Sequence, residues 1–124
     1  MAMITAIRAA LAKLGYKVHT TRQEKIGSNE LVVVLDDVEV EIETTLTYHT
    51  RNYVLIEWDT STPDTIPTQI VTLIAALEEY MLYNTTESLR SSFTFIQSEI
   101  NPLGITYRVS IIIRYTEVIN LGSN

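Results

Sequence analysis

The chain predicts a two-layer α+β domain: a mostly antiparallel sheet of about five strands with two helices on one face, in the order α-β-β-β-α-β-β. Three observations carry this prediction. In the C-terminal third, Ile105, Tyr107, Val109, Ile111, Ile113 and Tyr115 share one face of a long alternation, and Thr106, Arg108, Ser110, Arg114 and Thr116 share the other. A period of two sustained this long is an antiparallel strand with one buried face. Two other segments space their apolar residues three and four apart, which is the period of a helix. Finally, no Gly-rich linker divides the 124 residues, so 1–121 is expected to form one domain, followed by a frayed tail at Gly122-Ser123-Asn124.

Each element follows from its residues. Ile4, Ile7, Leu11 and Leu14 recur at helical spacing among Ala6, Ala9, Ala10 and Ala12, and Gly15 is placed to end the helix. Tyr16 to Val18 is a short extended stretch, and the polar run Thr20 to Asn29 reads as a loop. Leu31 to Leu35 is a β-branched apolar run and therefore a buried strand, after which Asp36-Asp37 is expected to turn the chain. Val38, Val40, Ile42, Leu46 and Tyr48 then alternate with Glu39, Glu41, Glu43, Thr45, Thr47 and His49, giving a strand with one wet acidic face. Thr50-Arg51-Asn52 is the expected turn into a strand from Tyr53 to Trp58. After a loop from Asp59 to Thr65, Pro67 suits the first turn of a helix lined by Ile66, Ile70, Leu73, Ile74, Leu77 and Met81. Asn84-Thr85-Thr86 is expected to end that helix, and Glu87 to Ser92 to lead into a last hairpin with its turn at Asn101-Pro102-Leu103-Gly104.

Composition narrows the function. The net charge of −6 disfavours nucleic-acid backbones, which require clustered Lys and Arg. Five of the nine basic residues (Arg8, Lys13, Lys17, Arg22 and Lys25) fall in the first 25 positions and read as a solvated helix face and loop. The absence of cysteine excludes disulfides, thiolate metal sites and cysteine nucleophiles. No apolar run approaches the ~20 residues of a membrane span. Arg8 and Lys13 interrupt the N-terminal apolar residues, so no signal peptide is read there and folding is expected in a cytoplasm.

No motif points to catalysis. Glu39, Glu41 and Glu43 stand roughly 7 Å apart along one strand face, too far for neighbours to share a proton. The plain reading is the solvent side of a half-buried strand; the functional one is an acidic surface. Asp36-Asp37 suits a turn better than a metal, and His19 and His49 stand alone in their segments. There is no nucleophile elbow, P-loop or dinucleotide glycine pattern, so neither enzymatic activity nor a cofactor or metal is expected. Tyr48, Tyr53, Tyr80, Tyr83, Tyr107 and Tyr115 lie on or beside predicted elements, where such rings half-bury in a core or an interface.

In element order and pattern the chain resembles small phage tail proteins of the lambda-type tail-terminator and head–tail-completion kind. The likeness rests on the helix ending at Leu14-Gly15, the strands from Leu31 to Trp58, the helix from Ile66 to Met81 and the hairpin from Phe93 to Glu117. It covers most of the chain as a pattern, with no signature residue. The short Leu31 to Leu35 strand departs from it, since such proteins can carry a longer excursion there.

The resemblance implies a virion protein that folds in the host cytoplasm and joins the tail. It would be a hexameric ring subunit capping the tail tube, with the tube protein and a head-completion protein as partners and DNA passing without specific binding. Candidate interface or lumen residues are Glu39, Glu41, Glu43, Arg8, Lys13, Arg22, Lys25, Tyr107, Arg108 and Arg114. Either the basic N-terminal segment meets the Glu39 to Glu43 face of a neighbour, or that acidic row lines the lumen. Two other classes fit the same composition: a small acidic inhibitor of the immunity or antitoxin kind that masks a basic protein, and a ligand-binding regulatory domain with a pocket between helices and sheet.

Overall fold

The computed structural model describes residues 3–84 and 93–122, with side chains described for 3–80 and 93–122. The fold is α+β, with α1 (Met3–Lys13), β1 (Lys17–His19), β2 (Glu30–Thr44), β3 (Thr47–Thr60), a short 3-10 turn (Pro63–Thr65), α2 (Ile66–Asn84), β4 (Thr94–Leu103) and β5 (Thr106–Asn120). The strands form one sheet in the order β1-β2-β3-β5-β4. Every neighbouring pair is antiparallel except β1 and β2.

Both helices cover the same face. Met3, Ile7, Ala10 and Leu11 of α1 and Leu73 and Leu77 of α2 pack on Leu31, Val33, Val54, Ile56, Val109, Ile111 and Ile113 of the sheet. Gly15 closes α1 as expected: at φ 98° it adopts the left-handed conformation that lets the Tyr16 N–H return to the Leu11 carbonyl at 3.3 Å.

The sheet has five strands, though divided differently from the sequence expectation. Asp36-Asp37 does not turn the chain. β2 continues through it as one 15-residue strand, with a register shift between Leu35 and Asp37. Asp36 is the extra residue of a β-bulge. The physical reason is parity: Leu31, Val33 and Leu35 are odd-numbered, whereas Val38, Val40 and Ile42 are even-numbered, and one inserted residue keeps them all on the helix-side face.

Thr50-Arg51-Asn52 is likewise no turn. These residues lie inside β3, paired with Val40, Glu39 and Val38. The reversal comes instead at Thr45 and Leu46, with Leu46 at φ 67°. In the last hairpin, Asn101 and Pro102 continue the ladder opposite Arg108 and Tyr107, and Gly104-Ile105 makes the turn, with Gly104 at φ 64°. An outer strand tolerates Pro102 because only its inward side must donate. The expected helix end at Thr85-Thr86 and the lead-in Glu87 to Ser92 lie outside the described residues, as do Ser123 and Asn124 of the expected tail.

Candidate functional site

Length explains the molecule's most exposed region. The 15 residues of β2 extend about 50 Å, whereas the 11 residues of α1 span about 16 Å and the 19 of α2 about 28 Å. The sheet therefore outruns the helices that cover it. Beyond the bulge, β2, β3 and the end of β5 continue as a three-stranded arm. On its helix-side face Thr50, Asn52 and Tyr115 are buried, Tyr115 bonding to the Ile4 backbone of α1, whereas the β2 rim and the tip are bare. Val38, Val40, Ile42 and Ile119 lie on this flank, with Val40 62% and Ile42 71% exposed. The sequence pattern predicts Val38, Val40 and Ile42 as part of a buried face, and they are instead a bare apolar flank. At the arm tip, the Leu121 N–H donates to the Leu46 carbonyl at 2.7 Å.

The arm's opposite face carries the carboxylate row, and each carboxylate has a diagonal partner on β3. The Tyr53 hydroxyl donates to Glu39, Arg51 Nη2 donates to Glu41 at 2.9 Å, and His49 Nε2 lies 2.6 Å from Glu43. In register, Arg51 stands opposite Glu39 and His49 opposite Glu41, so every bond leans one pair along the ladder. These pairs are exposed and contribute little stability. The segment 36–52 still holds five carboxylates against one arginine, so the arm is strongly anionic.

The basic residues singled out from sequence divide into two groups. Arg8, Arg22 and Arg108 are occupied within the chain. Arg8 donates through Nε and Nη2 to the Val33 carbonyl at 3.1 and 2.8 Å. Arg22 forks onto Glu57 at 3.1 and 2.9 Å, and that carboxylate is only 4% exposed. Arg108 binds Asp59 through two bonds of 2.7 and 3.0 Å and also donates to the carbonyls of Gln23 and Glu24, both at 2.9 Å.

Burial opposes the charge on Asp59. The Arg108 hydrogen bond, the Ile26 N–H and the Arg108 charge outweigh it and hold the carboxyl below its usual range. Together these bonds strap the loop 20–29 across the open face of the sheet, with Ile26 as a buried plug. Sequence reasoning missed this strap. The available signal was Ile26, a lone large apolar residue in an otherwise polar run.

Lys17 and Lys25 remain exposed, and Lys13 lies 5.9 Å from the centre of the Tyr80 ring. Arg114 Nε is buried with no hydrogen bond to a described residue, and Tyr107 is half-buried against the core. Tyr115 is a core residue, and burial, together with the Glu117 charge, raises its hydroxyl pKa. The arm thus gathers Glu39, Glu41 and Glu43. It does not gather Lys13, Lys25 or Arg108, which belong to the helix-covered half.

A polar cleft of about 470 Å³ opens between the end of the loop, the end of β3 and the first turns of α2, floored by Trp58 and Leu73. Its polar groups bind one another. Trp58 Nε1 donates to Gln69 Oε1 at 2.8 Å, and Gln69 Nε2 donates to Thr65 Oγ1 at 2.9 Å. No group of three or more metal-ligating side chains occurs among the described residues, and no described helix is long and apolar enough to cross a membrane. Comparison with protein-family models matched none, and comparison with curated proteins matched none either.

Proposed function

We propose that this protein is a structural subunit of a phage or prophage tail, of the ring-forming terminator or head–tail-joining type. The observation that carries this reading is the arm: about 30 Å of sheet from Asp36 to Thr44 with a bare apolar flank. An isolated water-soluble domain gains nothing by exposing Val40 and Ile42 in a row, whereas a subunit contact covers them. Ring closure needs two different patches on each subunit. The arm flank is one. Phe95 and Ile100 on the same face of the outer strand β4 offer a separate second. The charged side chains that could do chemistry deeper in the molecule, such as Asp59, Glu57 and Arg108, are committed to holding the loop.

Light scattering on a sizing column, with negative-stain images of the peak, tests the reading. A ring near 85 kDa, about six times the 14.1 kDa chain, supports it. A monomer at every concentration that also fails to add to purified tail tubes refutes it. Glu41→Lys then distinguishes a neighbour contact from a lumen wall. Loss of the ring places the carboxylate row between subunits, and intact rings with impaired DNA passage place it in the bore.

A further inference from the structure

Among the described residues, the outer edge of β2 has no neighbouring strand over most of its length, because β1 pairs with it only from Glu30 to Val32. Near the root, side chains bind two of the outward backbone groups. Arg8 holds the Val33 carbonyl, and the Val38 N–H donates to Asp37 Oδ1 at 2.8 Å. These bonds identify the backbone groups that point away from β3. The alternation of an antiparallel ladder carries the same direction to Val40 and Ile42. There no described strand pairs with the edge, with Glu39, Glu41 and Glu43 on one side of it and Val38, Val40 and Ile42 on the other. The ladder shifts register again between Ile42 and Thr44, so Glu43 stands at the end of the regular alternation.

We propose that the β2 edge from Glu39 to Thr44 docks an extended segment of a partner protein in which Lys or Arg alternates with apolar residues. A strand added here sets its side chains alternately against the carboxylates and against the valine–isoleucine row, so backbone bonds supply attraction and the alternation supplies specificity. Each carboxylate is held from β3 through one oxygen, Oε1 of Glu39 and Oε2 of Glu41 and Glu43, leaving the second to accept from an incoming cation.

A second copy of this chain is a poor occupant. Its open edges at β4 and at residues 115–120 contain Glu99 and Glu117 and no Lys or Arg. Its remaining outer strand, β1, carries Lys17 but is only three residues long, too short to cover Glu39 to Thr44. β2 against itself sets carboxylate opposite carboxylate, which is destabilising. The docking adds backbone bonds along the arm's edge, but its apolar side chains rest on the same valine–isoleucine row that the ring reading covers, so ring neighbour and docked strand compete for that row.

The test uses the full-length chain and a labelled six-residue peptide of alternating Lys and Val, with a block peptide of three Lys then three Val as the composition control. Fluorescence anisotropy is expected to give at least about tenfold tighter binding for the alternating peptide, the equivalent of one charge-assisted bond. Binding should weaken several-fold in Glu41→Gln. It should also weaken in Val40→Pro, which removes an outward N–H without cutting the β3 ladder. Hydrogen exchange should slow at residues 39–44 when the alternating peptide is bound.

Equal binding of the two peptides overturns the proposal, as does slowed exchange confined to another surface or no binding up to about 1 mM. Exchange protection of 39–44 that grows with protein concentration alone also overturns it, by making a second copy the occupant. Absence of peptide binding at protein concentrations too low for rings sinks this proposal and leaves the assembly reading intact; peptide binding by a protein that never forms rings does the reverse.

Discussion

Replacing Arg108 with Ala removes four hydrogen bonds at once: two to Asp59 and one each to the carbonyls of Gln23 and Glu24. The Asp59 side chain is 11% exposed, and without the guanidinium its described partner is the Ile26 N–H. Breaking a buried ion pair from one side typically costs 3–5 kcal/mol, and residual water access puts this pair at the lower end, about 3 kcal/mol. With unfolding entropy near 2.1 cal/mol/K per residue over 124 residues, that corresponds to a fall in Tm of about 11 °C. Thermal unfolding followed by circular dichroism measures it directly. Limited proteolysis gives an independent readout, because the freed loop 20–29 should be cut before the helices. A double-mutant cycle with Asp59→Ala should return a coupling of at least about 1.5 kcal/mol. If Arg108→Ala lowers Tm by less than about 3 °C, or the two substitutions add, the strap is not held by this pair and the reasoning fails.

Four further outcomes follow from the same structure. Asp59 has a depressed folded-state pKa, so its contribution is present above the unfolded value near 3.9 and is lost as pH falls through the lower folded value. Urea titrations between about pH 5 and pH 2 should therefore show a shallower loss of stability in Asp59→Asn than in the parent, and parallel curves would contradict this. Leu46 sits at φ 67°, where a branched side chain is strained, so Leu46→Gly should raise stability by about 1 kcal/mol in chemical denaturation, less whatever the lost side-chain contacts contributed. Val40→Asp with Ile42→Asp should change Tm by only a few degrees, since both side chains are exposed, yet abolish assembly on the sizing column. Deleting Asp36 should preserve the fold, because it regularises β2 while keeping every side chain on its face, whereas deleting Val34 flips half of the strand and should prevent folding; expression and circular dichroism of the two deletions decide it.

These predictions also mark what was legible beforehand. Periodicity alone identified both helices, the end of α1 at Gly15 and the alternation of β5, because each depends on local spacing. The two long strands were not legible as such. A change from odd to even apolar positions between Leu35 and Val38 fits a turn or a bulge equally well, and only the partner strand decides between them. At Thr50 to Asn52 the polar residue types suggested a turn, yet Tyr48, Thr50, Asn52, Val54, Ile56 and Trp58 keep one parity throughout. That unbroken parity was the available signal for a continuous strand. The carboxylate row was visible, but its diagonal partners were not, since they lie ten residues or so away across the ladder. The Arg108–Asp59 pair spans 49 positions and has no sequence signature at all.

The bond from the Leu121 N–H to the Leu46 carbonyl has a practical consequence for anyone handling this protein. It brings the last described residues to the arm tip, beside the Thr45-Leu46 reversal. Anything fused after Gly122 therefore emerges at the far end of the arm, next to the flank and the open edge. A purification handle placed there would crowd both, and a preparation bearing one could look monomeric and inert for reasons unrelated to the native chain. A handle ahead of Met3 leaves from the other layer, where α1 begins. For pull-downs and sizing runs the amino-terminal position is the safer choice, and the carboxy-terminal one becomes useful deliberately, as a removable plug.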